Sequence, residues 1–293
     1  MQKLFILFLI TFLANTMAQE NKSTELREKV KSLLTECKGE IAVAYYDLIT
    51  GSTVLINENT SFHAASTMKT PVMVEVFRQE ELGKFSLSDS IVVKNEFRSI
   101  VDSSLYSMEI GDDSGEDLYK LLNQKTTIQN LVFQMITVSS NLATNILIDL
   151  VGAKNVMATL HSYGIEGVNV LRGVEDNLAF EKGLNNNTTA LGLMKLYKLI
   201  AEKKIISEKA CDEMIKILKS QKHRSMIPAL LPEDAVTATK GGSITGIRHD
   251  AGIVYMPDGR RFVLVFLSKN VEDVPCVNNL CARIAKLLGG CLN

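Results

Sequence analysis

Three short runs in the chain carry residue types that can do covalent chemistry. Ser66-Thr67-Met68-Lys69 places a hydroxyl and an amine at i and i+3, side by side if Ser66 opens a helix. The neighbours Ala64, Ala65, Val72, Met73 and Val74 are apolar, so this helix is expected to be buried. Burial lowers the pKa of a lysine, and a neutral amine beside a hydroxyl is a general base beside a nucleophile. Backbone N–H groups at the helix start can hold an oxyanion. Taken alone the run is weak. One S-x-x-K arises by chance about once in a chain of this length, and a capping serine followed by a snorkelling lysine explains it equally well. The second run, Ser139-Ser140-Asn141, falls at a break between two apolar helices, where hydroxyls and amides also serve as caps. The third, Lys240-Gly241-Gly242-Ser243, follows the strand-like Ala235–Thr239. Its glycines allow a ligand or another backbone to approach a strand edge, or mark a bulge.

The elements around these runs divide the chain. Residues 23–34 read as a capped helix, and Ile41–Tyr46 with Thr53–Ile56 as a hairpin around Thr50-Gly51-Ser52. Near the other end, 252–255 and 261–267 form a second hairpin, and Val277–Leu288 a last helix. Between them the apolar period turns helical over 66–81, 127–138, 141–151, 153–163, 188–203 and 207–221. The fold class expected is α/β (α+β): an antiparallel sheet drawn from both chain ends and flanked by helices, with an inserted all-helical lobe. Residues 19–63 and 232–293 would make the α/β lobe and 64–231 the helical lobe, in one catalytic domain with its site in the cleft between them. A long unpatterned stretch, Val168–Thr188, is of a length that is often functional.

Composition narrows the function classes. The 293 residues hold 32 basic and 33 acidic side chains, and 46% are hydrophobic, which excludes a disordered or low-complexity chain. A balance of −1 lacks the basic excess of a nucleic-acid binder. Lys3, the apolar run Leu4–Ala14 and the small-residue exit Thr16-Met17-Ala18 describe a secretory signal, residues 1–18, cleaved after Ala18. The run is short of the roughly 20 residues that span a membrane. A periplasmic or secreted protein without stable membrane association follows. Export permits disulfides, but the pairing of Cys37, Cys211, Cys276, Cys281 and Cys291 cannot be read from spacing. Cys276 and Cys281 are the nearest pair, and free thiols are equally compatible. No spacing of Cys or His marks a metal site, and nothing points to an organic cofactor.

The order of the three runs changes their weight. An S-x-x-K helix start, then S-x-N, then a K-x-G strand is the pattern of penicillin-interacting serine enzymes, and the chain resembles class A β-lactamases over about 30–293. The resemblance implies a β-lactamase/transpeptidase-like fold, a monomer, and a small-molecule β-lactam as substrate. Residue by residue it implies Ser66 as the acylated nucleophile and Lys69 as the base beside it. Ser139 would pass a proton to the leaving nitrogen, and Asn141 would orient the lysine and substrate. Lys240 would hold the substrate carboxylate, and the N–H groups of Ser66 and Ser243, next to Gly242, would form the oxyanion hole. Arg172-Gly173-Val174-Glu175 resembles the start of the loop that carries the deacylating acid, which makes Glu175 the water-activating base; Glu166, Asp176 and Glu181 are weaker alternatives. Asn145 would tie that loop to the helix junction. Arg248 and His249 lie where the family keeps a second cation, His249 only when protonated.

Three positions depart from the pattern: Ser140 replaces an Asp, Gly241 a hydroxyl residue, and Ala179 an Asn. The leading expectation is hydrolysis of the lactam through a Ser66 acyl-enzyme. The alternatives are a D-alanyl-D-alanine carboxypeptidase or related penicillin-binding hydrolase, which would acylate and stall, and a non-catalytic sensing domain, which would form no adduct.

Overall fold

Alternating side chains along the strands of one sheet build the centre of the molecule. A computed structural model describes residues 23–290. Its main sheet is antiparallel, in the order β10 (Val236–Ile244), β11 (Ile247–Tyr255), β12 (Arg261–Lys269), β1 (Glu40–Asp47), β2 (Thr53–Ile56). Strand side chains alternate between faces. Ala42, Ala44, Ile253, Val263 and Val265 therefore enter one core, while Ile41, Val43, Tyr45, Val254, Phe262 and Leu264 enter another. Each fully buried Val, Leu or Phe contributes roughly 1.5–3 kcal/mol. Because both faces are apolar, hydrophobicity alone would tolerate a one-residue slip; turn geometry resists it. The Asp47 carboxylate accepts hydrogen bonds from the N–H groups of Ile49 (2.8 Å) and Thr50 (3.0 Å), and Gly51 follows at φ +75°, a conformation glycine adopts freely.

Helix α1 (23–34) and α10 (Val274–Leu288) cover the second core. The first core is filled by α2 (Lys69–Glu81), α4 (Ile128–Thr137), α5 (Asn141–Val151), α6 (Ala153–Ser162), α8 (Ala190–Ala201) and α9 (Glu208–Lys219). α8 rests directly on β1 and β12. Side-chain caps at Thr127, Ser140, Thr189 and Ser207 fix the starts of α4, α5, α8 and α9; of these the sequence suggests only the one at the Ser139–Asn141 junction. Several boundaries differ from expectation, β11 for instance beginning at Ile247 rather than 252. Ser66 lies in a 3-10 turn, Ala65–Met68, and α2 begins only at Lys69. α10 starts at Val274, three residues early, because Asp273 caps it and Pro275 suits its first turn.

Irregular structure also extends beyond the expected stretch. Between α2 and α4 lie β4 (Ser90–Val92) paired with β7 (Lys125–Thr127), β5 (Phe97–Arg98) paired with β6 (Leu105–Tyr106), a 3-10 turn Ile110–Asp112, and α3 (Glu116–Tyr119). Elements this short have no periodicity to read. The stretch 168–188 holds β8 (Val168–Asn169), α7 (Asn177–Glu181) and β9 (Asn187–Thr188), and β9 joins β3 (Phe62–His63).

Cys37 pairs with Cys276, Cα atoms 6.1 Å apart, and so ties the end of α1 to the first turn of α10. Cys281 and Cys211 are buried thiols, so Cys276 reaches across to α1 rather than along its own helix; Cys291 lies outside the described residues. The bridge spans 239 residues, and closing so long a loop restricts the unfolded chain. Cys37→Ser is expected to destabilise the fold by about 2–4 kcal/mol, read from the shift of the denaturant midpoint. No helix among the described residues is long and apolar enough to cross a membrane. The signal expected at 1–18 lies outside them.

Candidate active site

The three runs and the irregular loop meet in one cleft of about 510 Å³ whose walls include Ser66, Ser139, Asn141, Glu175, Lys240 and Ser243. Lys69 is fully buried beneath it. Its ammonium donates to the Ser139 carbonyl (2.6 Å), the Ser139 hydroxyl (3.1 Å) and Asn141 Oδ1 (2.8 Å). Burial, reinforced by the charge of Lys240, holds its pKa well below the usual lysine range against the pull of Asp113 and Glu175. When neutral, the amine keeps two N–H donors for the carbonyl and the amide oxygen. Its lone pair is then open to a hydroxyl proton.

Ser139 occupies the left-handed region at φ +65°, which costs of order 1–3 kcal/mol and aims its hydroxyl between two amines. Lys240 Nζ donates to Ser139 Oγ (3.0 Å) and to the Gly241 carbonyl (2.8 Å). Lys240 is buried, which pushes its pKa down to about 7, opposed by Asp250. Asp250 is itself pushed up to about 7 by burial while accepting from the Ile227 and Ala251 N–H groups.

Glu175 also sits at positive φ (+62°). Its Oε1 accepts from Asn141 Nδ2 at 3.3 Å, so one amide bridges the buried lysine and the loop carboxylate. Burial raises the pKa of Glu175, with Asp112 and Asp113 adding to the rise; Asn141 and Lys69 oppose it. The loop is pinned around it. Asn145 Nδ2 donates to the Val174 carbonyl (2.9 Å) and its Oδ1 accepts from Val174 N (2.7 Å). Arg172 donates to the Leu184 carbonyl (3.1 Å) and to Asn185 Oδ1 (3.3 Å). Asp176 does not face the cleft as a base: it is buried, caps α7 and accepts from Ile100 N. Glu166 and Glu181 are not among the cleft-lining residues, and Ala179 is fully buried.

Gly242 is required where it stands. A Cβ there would lie 2.8 Å from Ser66 N and 3.1 Å from Thr67 N, so β10 packs backbone to backbone against the turn that carries Ser66.

Of the two residues expected to supply a second cation, His249 is corrected by the geometry. His249 is 1% exposed. Its Nδ1 accepts from Ser268 N (3.1 Å), which leaves Nε2 to donate to the His63 carbonyl (2.9 Å). Burial pushes its pKa down to about 4, so the ring is neutral and structural. Arg248 does line the cleft, and its Nη1 donates to the Ile244 (2.9 Å) and Ile247 (2.7 Å) carbonyls.

One residue of the site escaped sequence reasoning. Asp113, 4% exposed, reaches the Ser139–Asn141 junction from the irregular segment before α3 and accepts from Asn141 N (2.9 Å) and Leu142 N (2.8 Å). Only the missing acid at position 140 hinted at such a partner.

Comparison with known proteins assigns the chain to a family. The model of the Beta-lactamase enzyme family matches residues 25–291, and the chain belongs to that family. It is 25% identical to a β-lactamase of Bacteroides uniformis, over 97% of this chain and 96% of the relative. Among solved structures, a β-lactamase of Chitinophaga pinensis superposes with a TM-score of 0.79 at 25% identity, covering 92% of this chain and 100% of the other. One of Sphaerobacter thermophilus gives 0.76 at 26%, covering 90% and 97%.

Proposed function

We propose that the protein is an exported serine β-lactamase of the class A type. Ser66 Oγ attacks the lactam carbonyl and gives its proton to neutral Lys69. The N–H groups of Ser66 and Ser243 hold the oxyanion. The C–N bond then breaks as Ser139, fed by the amines on either side, passes a proton to the departing nitrogen. Glu175 takes a proton from a water that attacks the ester and returns it to Ser66 Oγ as the ester C–O bond breaks. Lys240 faces the substrate carboxylate. The observation that carries this reading is the Asn141 amide held between Lys69 and Glu175, which supports an acylation base and a deacylation base sharing one side chain. A penicillin-binding hydrolase that stalls after acylation has no use for the second. Export rests on the leader-like residues 1–18 and the Cys37–Cys276 bridge, which suits an oxidising compartment.

Intact-mass measurement after mixing with penicillin tests the nucleophile. A transient adduct on the native enzyme and none on Ser66→Ala supports the scheme; an adduct on Ser66→Ala overturns it. Gly242→Ala is expected to lower kcat about 100-fold by pushing β10 away from Ser66, with the fold intact by circular dichroism.

A further inference from the structure

We propose that Asp113 is a positioning residue of this site, a carboxylate supplied from a separate loop to the Ser139–Asn141 junction, where Ser140 leaves the motif without its own acid. The proposal rests on the lactam reading above and adds to it a residue on another element. The two Asp113 oxygens receive five donors: the N–H groups of Asn141 (2.9 Å), Leu142 (2.8 Å) and Gly115 (2.8 Å), and the hydroxyls of Ser140 (3.3 Å) and Tyr119 (3.2 Å). A helix start leaves its first amides without partners and favours negative charge. Here the carboxylate takes the first two amides of α5, and Ser140 Oγ takes the third, from Ala143 (3.2 Å).

Holding those amides sets more than a helix end. Ser139 precedes them at positive φ and supplies two of the three acceptors on Lys69; Asn141 supplies the third and also reaches Glu175. A shift of the junction therefore moves both bases at once. The negative charge faces Lys69 and Glu175, alongside Asp112 and Lys240, and raises the pKa of both bases. Because the acid stands on the loop rather than on α5, the segment from Ile110 to Tyr119 becomes part of the catalytic apparatus.

The test moves the charge back. Asp113→Ser, Ser140→Asp and the double variant are compared with native enzyme for kcat and KM with a chromogenic cephalosporin, for the pH profile, and for hydrogen exchange at the Asn141 and Leu142 amides. Asp113→Ser is expected to lower kcat about 100-fold, with a smaller change in KM, and to deprotect both amides. Removing the charge lowers the pKa of both Glu175 and Lys69, so the acid limb moves to lower pH; added hydration from loosened packing would lower Glu175 but raise Lys69. The double variant is expected to recover kcat to within about tenfold and to return the limb. A folded Asp113→Ser with native kcat and pH profile overturns the proposal, as does a folded double variant no better than the single. If Asp113→Ser does not fold, Asp113→Asn replaces it: its amide nitrogen confronts the Leu142 N–H, and native kcat in that variant is equally contradictory. If native enzyme neither reacts with nor turns over any lactam, the lactam reading fails. Hydrogen exchange then decides the positioning role, and unchanged protection at Asn141 and Leu142 overturns it.

Discussion

Glu175→Gln is expected to convert a catalyst into a trap. Acylation of Ser66 stays within about tenfold of native, because Lys69 and its three acceptors are untouched. Release of the ester falls about 10²–10⁴-fold, the contribution of a positioned general base. The mass of the acylated protein therefore persists where the native adduct decays. Glutamine still accepts from Asn141 Nδ2, so the loss belongs to the base and not to the loop. The pH profile supplies the sign. Burial with Asp112 and Asp113 nearby raises the pKa of Glu175, so deacylation on native enzyme is lost as pH falls through a pKa raised from the ordinary glutamate value. In the variant that acid limb disappears from deacylation. Native release rates would show that another group activates the water.

Lys69→Met separates the other base. The side chain is fully buried, so methionine fills a similar volume without an amine. The Ser139 carbonyl and Asn141 Oδ1 lose a donor, at about 1–3 kcal/mol for each group left unsatisfied; removing a desolvated amine offsets part of this. The protein is expected to remain folded while labelling of Ser66 by a fluorescent penicillin slows about 10²–10⁴-fold. Labelling at the native rate would transfer the acylation role to Glu175, the other base that Asn141 contacts.

Much of this was legible because local chemistry and tertiary structure agree. The capped helix junction at Ser139–Asn141, the helical period around Lys69 and the terminal hairpins all follow from spacing, and the structure brings Ser66, Lys69, Asn141 and Lys240 to one cleft. Two kinds of information were not. His249 sits in sequence where a cation would be useful, but burial keeps it neutral, and the Ser268 N–H and His63 carbonyl that hold its ring are brought near only by the fold. Asp113 lies among two-residue strands without period, 27 residues before the serine that it bonds. The Cys37–Cys276 bridge is similar: it joins the two terminal helices, and no spacing rule foresees which thiols will face each other.

Stoichiometry of ring opening tests the central claim most directly. The protein from Gln19 onward is mixed with a large excess of a chromogenic cephalosporin, and opening is followed far beyond one equivalent per enzyme. Sustained linear turnover that Ser66→Ala abolishes is the predicted result. A burst that stops at one equivalent would contradict the role given to Glu175 and leave an enzyme that acylates without release. No opening with any lactam tried would contradict the account at its first step.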